Sequence, residues 1–85
     1  MRRISEDEAW TTAGDEEPPL LAKAEWDATQ SAVALKRWPD FYVLGLSCDL
    51  DDRFELYAFD DEDAARQAYD ERRALMQRTG RPFSD

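Results

Sequence analysis

The sequence predicts a small single α+β domain in the order helix, β-hairpin, helix, with an extra short strand near the N-terminus. Three observations predict it. The 85 residues suffice for one domain, since domains rarely fall below about 50 residues. Two runs rich in aromatic and aliphatic residues, 41–47 and 53–59, flank an acidic loop and read as a hairpin. Apolar residues at helical spacing precede and follow that hairpin.

Residues 1–18 form an acidic N-terminal segment, expected to be partly mobile. Gly14 and Pro18-Pro19 punctuate it, and Glu6-Asp7-Glu8 and Asp15-Glu16-Glu17 dominate it. Within it, residues 8–13 read as a short strand. The compact domain is expected over 19–79. Pro19 suits the first position of a helix, and Leu21, Ala24, Ala28, Ala32 and Leu35 fall within one helical stripe over residues 19–37. Trp26 and Val33 lie nearly opposite that stripe, a second apolar patch that a simple surface helix does not need. Trp38-Pro39 ends this element, because a residue before proline avoids helical geometry. In the second helix Asp60 stands where an N-cap belongs, with Asp63 three residues on. Ala65, Ala68, Tyr69, Arg72, Leu75 and Met76 share one face, and Gly80 and Pro82 stop the helix. Residues 80–85 are read as a C-terminal tail.

Composition narrows the function classes. Twenty acids against eleven bases give a net charge of −9, with no histidine. Such a chain repels nucleic-acid phosphates and anionic membranes and is attracted to basic surfaces, so direct binding to nucleic acid or membrane is not expected. No apolar run approaches the roughly 20 residues of a membrane helix. The single cysteine, Cys48, makes no internal disulfide, and no apolar h-region follows Met1-Arg2-Arg3. The chain therefore reads as cytoplasmic and reduced.

An enzyme is not expected. Without histidine there is no Ser-His or Cys-His pair and no imidazole metal ligand. Asp49 beside Cys48 disfavours a thiolate. The run from Asp49 has alternating carboxylates like a calcium loop, but positions 6 and 12 would be Phe54 and Asp60 where an EF-hand has Gly and Glu. No cofactor or metal is predicted.

The charge is blocky instead. Residues 5–30 hold eight acids against Lys23, and residues 49–63 hold eight against Arg53. The hairpin loop (Asp49, Asp51, Asp52) and the second helix start (Asp60, Asp61, Asp63) would lie at opposite ends of a strand of roughly 23 Å, counted at about 3.3 Å per residue. Glu55 would sit between them, completing a negative ridge. Phosphates on a DNA strand recur about every 3.4 Å, so such a ridge presents a comparable field to a lysine- and arginine-rich site. Trp26, off the helical stripe, is the candidate apolar anchor.

In size, charge, lack of histidine and these acidic blocks, the chain resembles the small acidic inhibitors that phages direct at bacterial defence, the anti-CRISPR and anti-restriction proteins of the DNA-mimic kind. That resemblance implies a non-enzymatic inhibitor occupying a nucleic-acid-binding site on a defence complex, with its partner a basic protein surface. The arginines of the second helix confine any mimicry to one face. The alternative reading is a small homodimeric adaptor or regulatory module, with Trp26, Val33 and the hairpin edge as its interface.

Overall fold

The computed structural model describes residues 2–13 and 17–84, and of Trp10, Thr12 and Ala13 the backbone only. Seven elements follow one another: β1 (Arg2–Ile4), α1 (Glu6–Ala13), β2 (Leu20–Trp26), β3 (Ser31–Arg37), β4 (Tyr42–Cys48), β5 (Arg53–Phe59) and α2 (Glu62–Thr79). The five strands form one antiparallel sheet in the order β1-β5-β4-β3-β2. The chain is α+β, but the expected helix–hairpin–helix layout is overturned.

The largest correction is the first helix. Residues 19–37 form the β2–β3 hairpin. Ala22, Ala24 and Trp26 alternate with Lys23 and Glu25, and Val33 and Leu35 alternate with Ala32, Ala34 and Lys36. This period of two sends one set toward α2 and the other to the opposite face. Val33 and Leu35 are fully buried beneath the helix, where they meet Leu44, Leu46, Tyr69 and Met76. The turn bonds Gln30 N to Asp27 O at 3.2 Å and holds Gln30 at φ 53. Tertiary burial has overridden a helical stripe that consisted largely of alanine.

The N-terminal strand is real but lies elsewhere. Residues 8–13 belong to α1, whereas Arg2–Ile4 pairs with β5, Ile4 opposite Leu56. Ser5 accepts the Glu8 N–H at 3.1 Å and so caps α1. This helix lies on the sheet face opposite α2. There Trp38 Nε1 donates to Ala9 O at 2.6 Å, within a small second core of Ile4, Ala9, Trp38, Val43 and Ala58. Residues 14–16 of the expected mobile segment lie outside the described residues.

The second hairpin and the C-terminal helix occupy the expected stretches. Asp61, not Asp60, is the N-cap of α2: its backbone is extended (φ −112, ψ 131) and its carboxylate accepts the Ala64 N–H at 2.9 Å. Asp63 consequently falls inside the first turn. Gly80 ends the helix at φ 85, with its N–H on Met76 O, and a side chain there would meet the Trp26 indole at 3.6 Å. The segment expected as a tail then turns back into the core, where Pro82 and Phe83 are buried.

Candidate interaction surface

Antiparallel order brings the two hairpin turns to one end of the sheet. The backbone joins them: Asp49 N donates to Gln30 O at 3.0 Å, and Leu50 N to Thr29 O at 3.4 Å. The C-terminus of α2 arrives at the same end. There Thr29 Oγ1 donates to Gly80 O, and Ser31 Oγ reaches the same oxygen at 3.2 Å. Cys48 is buried beneath this junction, its Sγ 3.6 Å from Thr29 O.

Four aspartates crowd this turn end: Asp27, Asp49, Asp51 and Asp52. Among the described residues, only Asp51 has a cationic partner. Arg81 Nε donates to it at 2.5 Å and Nη2 at 3.4 Å. That hydrogen bond holds the Asp51 carboxyl below its ordinary value. The other nearby cation, Arg53, is turned to Glu55 at 2.6 Å and lies over the Phe83 ring at 4.0 Å. Among the described residues, Asp27, Asp49 and Asp52 meet no lysine or arginine at ion-pair distance. They share this end of the molecule with the C-terminus of α2, the negative pole of its dipole.

Apolar surface is exposed at the same end. Leu50 is 65% exposed, Phe54 49% and Trp26 36%. Trp26, Asp27 and Asp49 line one shallow hollow together with Glu25, and Asp49, Asp52 and Phe54 line its neighbour. The structure thus brings Trp26 together with Asp49, and beside Asp52, as candidates from the sequence. It adds Leu50 and Phe54, which lie in the hairpin that was read but whose exposure only the structure shows, and Asp27, missed because the 19–37 segment was not read as a hairpin. Its four-residue turn, Asp27-Ala28-Thr29-Gln30, was the available signal.

The remaining acids do not join this surface. Glu55 was expected on an outward ridge, but it is only 7% exposed. It stands opposite Leu46 on the α2 side of the sheet. Burial pushes its carboxyl up, but hydrogen bonds from Tyr57 and Arg53 outweigh this and hold it below the ordinary value of 4.5. The hydrogen bond to Glu55 raises the Tyr57 hydroxyl in turn. The ridge is therefore broken at its middle. Asp60, Asp61 and Asp63 lie at the far end of β5, where Asp61 is committed to the cap and Glu62 pairs with Arg66 at 2.8 Å. Val33, expected beside Trp26 in a dimer interface, is fully buried.

Comparison with protein-family models, with curated proteins and with solved structures finds no match.

The face opposite α2 is only partly covered by α1. Ala32, Ala34, Gly45 and Ser47 floor a hollow of 310 Å³ beside Phe54 and Leu56. Gly45 keeps it deep, since a Cβ there would lie 3.4 Å from Leu56 Cδ2. Its rim lysines are already matched, Lys23 with Glu25 at 2.9 Å and Lys36 with Glu17 at 3.7 Å. Among the described residues no group of three or more His, Cys, Asp or Glu is placed to hold a metal ion. Among the described residues no helix is long and apolar enough to cross a membrane.

Proposed function

We propose that this chain is a non-enzymatic acidic inhibitor of the cytoplasm that seats its turn end on a basic protein surface, blocking the nucleic-acid-binding site of a defence complex in the manner of an anti-CRISPR or anti-restriction protein. One observation carries the reading. Asp27, Asp49 and Asp52, without a cation at ion-pair distance among the described residues, share an end of the molecule with exposed Trp26, Leu50 and Phe54. Unmatched carboxylates steer the approach to a cationic site, and a desolvated aromatic anchor supplies most of the affinity in many interfaces. The turn end thus replaces the continuous ridge as the binding element. Asp60 and Asp63 remain at the other end, as controls.

The test is capture of the partner from the native host at low and high salt, followed by competition between this protein and nucleic acid for the purified complex. The wild type is expected to bind at low salt, to be released as salt rises, and to displace nucleic acid. Asp27→Lys, Asp49→Lys and Asp52→Lys combined should lose at least about tenfold in affinity, each close charge pair being worth more than about 1.4 kcal/mol. Asp60→Lys with Asp63→Lys should bind as the wild type does. Equal binding by the triple variant, or no competition with nucleic acid, would overturn the reading.

A further inference from the structure

We propose that β2 is a seam at which a second copy of this chain adds its own β2 antiparallel, in a register centred on Ala24, to make one continuous sheet with both α2 helices on the same face. This strand edge shares Trp26 with the turn end but leaves Asp49, Asp52, Leu50 and Phe54 outside it, and its readout, oligomeric state, is separate from partner binding.

The sheet ends in two unlike edges. β1 contributes three residues, whereas β2 contributes seven. An edge strand of that length presents a row of unpaired backbone donors and acceptors. β2 is also the strand its own fold covers least. None of its residues is buried, while β3, beside it, buries Ser31, Val33 and Leu35. Ala22 and Ala24 face α2 but remain half-buried, and Trp26 next to them is 36% exposed.

The charges on β2 select both the occupant and the register. A two-fold axis perpendicular to the sheet makes residue i of one copy oppose a residue of the other such that one position faces itself. If Lys23 faces itself, two lysines meet. If Glu25 faces itself, two glutamates meet. If Ala22 faces itself, Lys23 meets Leu21 and Glu25 meets Pro19. Only with Ala24 at the centre does Lys23 of each copy oppose Glu25 of the other. The same register sets Trp26 opposite Ala22, the large side chain against a small one. Unlike charges directly opposite on neighbouring strands stabilise, and like charges destabilise. Within one chain Lys23 and Glu25 already approach to 2.9 Å in an exposed pair, so pairing exchanges one solvated partner for another across the seam. In this dimer the two turn ends point in opposite directions along the doubled sheet, and each keeps its aspartates, Leu50 and Phe54 accessible.

Sedimentation of the full chain from micromolar to near-millimolar concentration tests the proposal, with circular dichroism to establish that each variant is folded. The wild type is expected to dimerise. Lys23→Glu and Glu25→Lys, each alone, should weaken the dimer by about tenfold or more, because two unlike oppositions become like ones. Glu25→Lys is the sharper variant, since it lowers the net negative charge and would strengthen any dimer limited only by overall repulsion. Mixing the two single variants should restore dimers, as should combining both changes in one chain. A wild type that stays monomeric throughout, single variants that dimerise as well as the wild type, or a mixture that fails to recover would each overturn the seam.

Discussion

Asp61 and Asp49 stand at opposite ends of β5, the ends of the sheet at which α2 begins and stops. At the first end the helix offers free N–H groups and the positive pole of its dipole; Asp61 accepts one of those N–H groups and Glu62 pairs with Arg66. At the second end the helix offers carbonyls and its negative pole. There Asp27, Asp49 and Asp52 share the end with that pole and meet no lysine or arginine at ion-pair distance among the described residues, with Arg81 held by Asp51. Two acidic runs that look alike in sequence therefore differ in how far the fold itself engages them. The first stabilises the fold. The second, apart from Asp51, makes no ion pair among the described residues, which is why the turn end and not the helix start is proposed as the binding element.

The comparison is broken or sharpened by substitution. The largest effect is expected at Glu55, the acid that belongs to neither end. Glu55→Ala leaves the Tyr57 hydroxyl without its acceptor and removes one partner of Arg53, and should cost about 1–3 kcal/mol in chemical denaturation, the usual penalty for a partly buried polar group left unmatched. Partner binding should not change. Its pH dependence follows from the lowered carboxyl. The folded protein holds the Glu55 proton less tightly than the unfolded chain does, so the stabilisation is complete above the ordinary value of 4.5 and is lost as pH falls through the lower folded value. Glu55→Gln should flatten that part of the acid-denaturation profile. Next in size, Asp61→Ala should cost roughly 1 kcal/mol by loss of the cap, whereas Asp60→Ala should cost little. A larger loss at Asp60 would return the cap to the position read from sequence. The smallest effects carry the comparison itself. Asp63→Asn should lower the thermal midpoint and Asp49→Asn should raise it, each by the equivalent of roughly 0.3–1 kcal/mol. Shifts of the same sign would show that the two ends do not differ.

The parts of the fold legible in sequence are those with unambiguous punctuation. Gly80 and Pro82 mark the stop of α2, and the aromatic-rich runs on either side of the Asp49-Leu50-Asp51-Asp52 loop mark β4 and β5. The first hairpin was hidden because Leu21, Ala24, Ala28, Ala32 and Leu35 fall within one stripe at helical spacing, although the same segment also alternates with a period of two. Its turn also carries no glycine or proline, and Gln30 takes the left-handed conformation instead. The apolar patch of Trp26 and Val33 opposite the supposed stripe was the symptom of the wrong period. Ser5 followed by Glu8 was a legible start for α1, and it went unread beneath the acidity of the segment. At the candidate site, Asp49, Asp52 and Trp26 were legible as charge and exposed aromatic. That Asp27 joins them depends on strand order, and that Glu55 leaves them depends on which face of β5 it occupies. Neither is written in composition.

Cys48 gives the turn end a built-in clock. Its sulfur is sealed beneath the junction of the two hairpin turns, at the head of the loop that bears the unmatched aspartates. A thiol-modifying reagent reaches it only when that junction opens, so the rate of labelling counts openings at the one place where recognition is assigned. A bound partner pressing on Asp49 and Phe54 would slow the count without ever touching the sulfur.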